Sequence, residues 1–134
     1  MHKLYVGLGS NIGNRKDLIE RALLLLADRI GVVERVSSMV ETEPWGFESS
    51  NKFLNAAALI RTNLSPMCCL EETKHIEQLL GRSHKSVNGH YQDRPIDIDL
   101  LHYDMLHLNT PELILPHPLI KKRDFVLFPL LEIW

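Results

Sequence analysis

Two aspartates, Asp97 and Asp99, flank Ile98 just after Arg94-Pro95-Ile96 and directly before Leu100-Leu101. Side chains alternate across a β-strand, so residues two apart project from one face with Cα atoms about 7 Å apart. The pair therefore presents two carboxylates side by side, while Ile96, Ile98 and Leu100 point the other way and anchor the strand in a core. Hard divalent cations such as Mg²⁺ take oxygen ligands, keep several waters, and are commonly shared between one or two carboxylates and substrate phosphates. With Arg94 near in sequence, the pair points to a nucleotide triphosphate site. An edge strand that uses charge against aggregation, or two solvated acids without a ligand, would show the same pattern.

Other residues suit such a site, although each also has a structural reading. Phe53 and Asn55, two apart on a predicted strand, share a face on which a ring can stack a flat heterocycle while an amide satisfies its polar edge. Trp45 could cover the other side, or both aromatics could be core. Lys74 and Glu77 are three apart on a predicted helix, which suggests a solvated ion pair. Arg82, Lys85 and Arg94, with His84 and His90, give the stretch that ends at Asp93-Arg94 a local positive excess. A basic loop of this kind can close over phosphates and exclude water, or can be ordinary surface charge. His117, between Pro116 and Pro118, and Arg123, after Lys121-Lys122, are further candidate donors to phosphate oxygens.

The elements that must position these groups follow from periodicity and punctuation. Lys3 to Gly9 predicts a buried strand, with Gly7-Leu8-Gly9-Ser10-Asn11 as a tight strand-to-helix turn. This glycine pair lacks both the third glycine of a dinucleotide fingerprint and the Gly-Lys-Ser/Thr ending of a P-loop. Asn11 is available to brace neighbouring loops. Leu18, Ile19, Ala22, Leu23, Leu25, Leu26 and Ile30 follow a helical period behind an Asn14 cap. Val32 to Glu43 is β-rich, and a loop with Pro44 and Gly46 leads to a strand over Phe53 to Arg61. Ser65-Pro66 opens a second helix that Gly81 closes. Arg82 to Asp93 predicts a mobile polar loop, Met105 to Leu115 a short hairpin, and Phe125 to Ile133 a closing helix. The order β-α-β-β-α-β implies an α+β fold, a ferredoxin-like sandwich with helices against one sheet face and small C-terminal additions.

The 134 residues suffice for one domain, 1–134, with a real core, and 45% hydrophobic against 24% charged residues exclude disorder. A net charge of −2 offers no duplex-binding footprint, so any phosphate recognition is local and no nucleic-acid partner is expected. Cys68 and Cys69 are adjacent without a distant partner, which argues against a disulfide framework or zinc site and for a reduced, cytoplasmic setting. No apolar run reaches membrane-spanning length, and no charged leader precedes the first strand. Asn63-Leu64-Ser65 matches a glycosylation acceptor by chance on this reading.

The chain resembles the 6-hydroxymethyl-7,8-dihydropterin pyrophosphokinases of folate biosynthesis. The resemblance runs from Gly9-Ser10-Asn11 through Thr42, Phe53-Leu54-Asn55-Ala56 and Gly81-Arg82 to the Asp93–Leu101 segment, Pro116-His117-Pro118 and Arg123-Asp124-Phe125. It implies a ferredoxin-like monomer that transfers pyrophosphate from ATP to the pterin hydroxymethyl group and releases AMP. By that resemblance Asp97 and Asp99 hold two Mg²⁺ ions that bridge the ATP phosphates. Thr42, Trp45, Phe53, Asn55 and Phe125 line the pterin pocket, with Phe53 and Phe125 sandwiching the ring. Lys74, Glu77, Arg82, Arg94, Ile98, His117 and Arg123 attend ATP, and Arg82 and Arg94 also carry catalysis together with the two aspartates. The residue types alone would not have named a pterin.

The chain departs from the family pattern at Lys74, where members often carry a neutral amide, and at Trp45, often aliphatic. The Arg82–Arg94 loop is slightly longer than in familiar members and holds Tyr91 near the expected aromatic cover. Many relatives continue past the position of Trp134, which implies a compact member or the lack of a C-terminal segment. Two other classes compete. An RNA-binding module would need exposed aromatics in an RNP-type sequence and a basic sheet face, and neither is evident. A non-catalytic small-molecule regulatory domain would explain a fold and a pocket but not Asp97, Asp99, Arg82 and Arg94 together.

Overall fold

The structure, a computed structural model, describes residues 1–43, 51–81 and 95–134. Expectations that fall on Trp45 and on the Arg82–Arg94 stretch lie outside the described residues. The sheet is built from β1 (His2–Ser10), β2 (Gly31–Val36), β3 (Val40–Thr42), β4 (Phe53–Thr62) and β5 (Asp97–Tyr103). Its strands run β2-β4-β1-β5, all neighbours antiparallel, and β3 continues the β2 side by pairing with the start of β4. Helices α1 (Arg15–Arg29), α2 (Pro66–Leu79) and α3 (Asp124–Ile133), a single 3-10 turn at Ile120–Lys122, and a small ribbon of β6 (Leu108–Asn109) and β7 (Ile114–Leu115) complete it. The architecture is a mixed α+β fold with an antiparallel sheet.

The helix boundaries obey their local signals. Asn14 Oδ1 accepts the Asp17 N–H at 3.2 Å to start α1, and Ser65 Oγ accepts the Cys68 N–H at 3.3 Å to start α2 with Pro66 in its first turn. These bonds satisfy donors that a helix N-terminus leaves without an internal partner. Gly81 follows α2 with φ +100°, a left-handed conformation that a side chain would strain.

The β-rich stretch after α1 is not one strand. Ser37 interrupts it: its N–H donates to Ala57 O at 2.8 Å, while its Oγ accepts the Ala57 N–H at 2.8 Å and donates to Ser38 O at 2.9 Å. One hydroxyl thus stands in for a ladder carbonyl where the edge bends from β2 into β3.

The two helices of the β-α-β-β-α-β order, α1 and α2, share one face of the sheet, and α3, the C-terminal addition, takes the other. α1 and α2 bury Ile19, Ala22, Leu26, Cys69, Leu70 and Ile76 against Leu4, Val6, Leu8, Ala58, Ile60, Ile98 and Leu100. α3 instead packs Val126, Leu130 and Ile133 on the opposite face against Tyr5, Ala57, Leu59 and Leu101. Each such side chain gains about 1.5–3 kcal/mol by leaving water. Polar bonds fix the far end of α3: Arg35 donates to Ile133 O at 3.1 Å, and the Ser38 N–H and Oγ–H donate to Glu132 at 2.9 and 2.8 Å. With its C-terminal end clamped to the β2–β3 bend, α3 directs its first residues over the centre of the sheet, where Arg123, Phe125 and Val126 border a cavity.

Candidate active site

The cavity, of about 290 Å³, opens on the α3 face of the sheet. Its floor is the central strand pair, and cross-strand register sets what faces what. Gly9 lies opposite Asn55 on one side and opposite Asp97 on the other, while Gly7 lies opposite Ala57 and Asp99. Directly opposed residues share a sheet face. One row across the floor therefore reads Asn55, Gly9, Asp97, and the next reads Ala57, Gly7, Asp99. Strands are spaced about 4.8 Å apart, so the Asn55 and Asp97 backbones stand about 10 Å from each other.

The two aspartates sit as their spacing predicts. Both are half-buried and line the cavity, while Ile96, Ile98 and Leu100 are buried at 0%, 2% and 3% exposure in the other core. Oxygen-only donors on a held strand match what a hard cation requires, and a pair of carboxylates leaves room for water and phosphate in the remaining positions. Among the described residues no group of three or more His, Cys, Asp or Glu gathers, at the acid pair or elsewhere, so the pair would bind a cation together with phosphate and water oxygens.

At the other end of the row Asn55 is buried, and its Nδ2 donates to Thr42 Oγ1 at 2.7 Å and toward Val40 O at 3.4 Å. The bonds to β3 orient the amide, which is why the short β3 segment matters to the site. Phe53 on β4 and Phe125 at the start of α3 both line the cavity with Thr42. An aromatic from the sheet and one from the helix that covers it form an apolar slot with an oriented amide at its edge.

His117 and Arg123 close the remaining side. The His117 N–H donates to Leu101 O at 2.9 Å, tying its turn to β5, and its Nδ1 accepts the Leu119 N–H at 3.1 Å. An Nδ1 acceptor assigns the proton of the neutral ring to Nε2. Arg123 is buried, and its guanidinium carbon lies 5.8 Å from the centroid of the Phe125 ring, a cation–π approach that couples the cationic and aromatic parts of the wall.

Not every candidate comes to the cavity. Lys74 is exposed on α2, and Glu77 does not line the cavity. Nor is Glu77 half of a solvated ion pair: it is 4% exposed, and its Oε2 accepts the Ile98 N–H at 2.8 Å. β5 is an edge strand, so this N–H points outward from the sheet, and α2 covers that edge with a carboxylate acceptor. Glu77 thereby holds the residue between Asp97 and Asp99.

Several site features escaped the reading from residue types. Gly7 and Gly9 are not in a turn, since β1 continues to Ser10 and both glycines lie within it. Glycines two apart inside an apolar strand were the available signal, because they share one face and leave it bare. Ala56, Leu119, Val126 and Glu43 also border the cavity. Asn11 does brace a neighbouring loop, its Nδ2 donating toward Asn51 O at 3.4 Å.

Residues 5–134 match the family model for 7,8-dihydro-6-hydroxymethylpterin-pyrophosphokinase (HPPK). A 2-amino-4-hydroxy-6-hydroxymethyldihydropteridine pyrophosphokinase of Porphyromonas gingivalis is 49% identical over 131 residues, covering 97% of this chain and 89% of the relative. One of the same name from Bacillus subtilis is 43% identical over 96% of this chain and 76% of its own length. Among solved structures, an HPPK-DHPS in complex with substrates superposes with a TM-score of 0.76 at 15% identity, over 98% of this chain. This chain spans about 40% of that longer one, and the likeness is one of fold. With a family match over nearly its whole length and relatives this similar, the chain belongs to the HPPK family.

Proposed function

We infer that the chain is a pyrophosphokinase of folate biosynthesis, transferring pyrophosphate from ATP to 6-hydroxymethyl-7,8-dihydropterin and releasing AMP. Family membership supports the activity. The observation that carries the site assignment is a single cavity with an acid pair at one end of a strand row and an amide-edged aromatic slot at the other.

Phe53 and Phe125 hold the pterin ring between them, and Asn55, oriented by Thr42, reads its polar edge. Asp97 and Asp99 would hold two Mg²⁺ ions, which when bound neutralise the phosphate oxygens of ATP. His117 and Arg123 donate to phosphate oxygens from the opposite wall. Arg82 and Arg94, outside the described residues, keep the role that the family resemblance implies, stabilising charge on the transferring group. Phosphoryl-type transfer asks little covalent chemistry of a protein, so positioning and charge stabilisation suffice. On this reading the hydroxymethyl oxygen attacks the β-phosphorus in line and gives its proton to Asp99 or water, while the bond from the β-phosphorus to the α,β-bridging oxygen breaks and AMP leaves. Glu77 acts as a positioning residue through the Ile98 N–H, and Lys74, exposed on α2, is given no part in the cavity.

The strand order and the placement of α1 and α2 on one face support a ferredoxin-like topology, to which α3 is an addition on the other face. No helix among the described residues is long and apolar enough to cross a membrane. We take the enzyme as a cytoplasmic monomer with ATP and the pterin as its small-molecule partners.

The test is AMP release from ATP, with and without the pterin and Mg²⁺, in the parent chain and in Asp97→Ala. Release should require both additions and fall by more than about 100-fold in the variant, the scale of losing a principal electrostatic group. Release that ignores the pterin, or survives Asp97→Ala, contradicts the assignment. Pterin binding without turnover would instead mark a regulatory domain.

A further inference from the structure

Gly9 occupies the middle of the row that joins the two halves of the cavity, and its backbone does not require glycine. Positive φ among described glycines occurs at Gly13 and Gly81, not at Gly9. Space is the reason for it. A Cβ at Gly9 would stand 3.2 Å from Asn55 Oδ1 and 3.4 Å from Phe53 Cδ1, tighter than ordinary packing. At Gly7, on the same face, a Cβ would meet the Leu101 side chain at 3.6 Å or more, an ordinary contact. A glycine inside a strand weakens the strand and often marks a place where a ligand or another backbone approaches closely.

We propose that Gly9 is a specificity-determining position for the pterin: its bare backbone keeps open the corner where the ring, held between Phe53 and Phe125, brings its polar edge to the Asn55 amide. A methyl group there would intrude on the slot and press on the amide oxygen. That amide is not free to swing away, because its nitrogen is committed to Thr42 Oγ1 and Val40 O. Although Asp97 is the cross-strand partner of Gly9, the methyl group would press first on Asn55 and Phe53, so ring binding suffers more than the nucleotide end. This inference rests on the pterin assignment made above.

The experiment measures pterin affinity by titration calorimetry, affinity for a non-hydrolysable ATP analogue with Mg²⁺, KM and kcat, and Tm, for the parent chain, Gly9→Ala and Gly7→Ala. Gly7→Ala sets the scale for adding a methyl group to this strand. Gly9→Ala should weaken pterin binding, and raise its KM, about tenfold more than Gly7→Ala does, the order of a clash worth about 1.4 kcal/mol. Its affinity for the ATP analogue should fall by much less than its affinity for the pterin, because the three atoms nearest the added methyl group belong to Asn55 and Phe53 and none to the acid pair. Equal pterin affinities for Gly9→Ala and Gly7→Ala, or an equal loss of both ligands, would overturn the proposal. If Gly9→Ala does not fold, the comparison moves to Asn55→Ala and Asn55→Ala/Gly9→Ala, where the 3.2 Å contact is gone. A further loss of pterin in the double variant supports the open corner, and no further loss refutes it. A parent chain that fails to bind the pterin at all refutes the functional assignment, and is thus told apart from a failure of the Gly9 inference.

Discussion

Replacing Glu77 by alanine tests whether a residue outside the cavity holds the acid pair in place. The change deletes the acceptor of the Ile98 N–H, a 2.8 Å bond to a side chain that is 4% exposed. Hydrogen bonds to charged groups contribute about 1.5–3 kcal/mol, and the methylene lost with the carboxyl adds about 0.8 kcal/mol. Relief of the cost of burying a carboxylate opposes these, so the net loss is about 2 kcal/mol. Unfolding entropies near 2.1 cal/mol/K per residue make this about a 7 °C fall in Tm for a chain of this length. Thermal unfolding followed by circular dichroism reads that fall directly. Glu77→Gln keeps an acceptor oxygen of similar shape and should recover about half of it. Because Ile98 sits between Asp97 and Asp99, Glu77→Ala should also raise the Mg²⁺ concentration needed for half-maximal activity by about 10–100-fold, the usual effect of removing a group that orients metal ligands. Glu77→Gln should show a smaller rise. If Glu77→Ala unfolds within about 2 °C of the parent and its Mg²⁺ dependence is unmoved, Glu77 is neither a structural brace nor a positioning residue.

Two further outcomes follow from packing alone. A Cβ at Gly31 would collide with Arg61 O, where backbone cannot yield cheaply, so Gly31→Ala should cost about 3 kcal/mol or more and show as a low urea midpoint with little change in m. Burial pushes the Cys69 thiol up to about 11, whereas Cys68 is exposed. The native chain at pH 8 should therefore take up one iodoacetamide, on Cys68, and the unfolded chain two, as peptide mass spectrometry would report; rapid native labelling of Cys69 would contradict its place in the core.

Features that depend on neighbours in the chain were legible before any coordinates. The caps at Asn14 and Ser65, the proline in the first turn of α2 and the left-handed Gly81 are contacts within four residues, so residue type and spacing specify them. The alternation of Ile96, Ile98 and Leu100 with Asp97 and Asp99 likewise settled which face of β5 enters a core and which meets the cavity. Features that depend on what a face meets were not legible. Glu77 reads as a surface acid on its own helix, and becomes a buried acceptor only because α2 lies along the open edge of β5. Phe125 to Ile133 reads correctly as a helix, but nothing within it tells which side of the sheet it will cover.

The sequence by itself determined most of the elements, the acid pair and the family motifs, because each rests on chain-local periodicity or on residues close together in sequence, whereas the break between β2 and β3 and the extension of β1 through Gly9 rest on pairing with β4. Only the tertiary structure decided that Asn55, Gly9 and Asp97 form one row and that α3 brings Phe125 and Arg123 over it. Strand register and the choice of sheet face are set by packing between segments up to about a hundred residues apart, as in the bond from Arg35 to Ile133, and such pairings leave no mark in either segment alone.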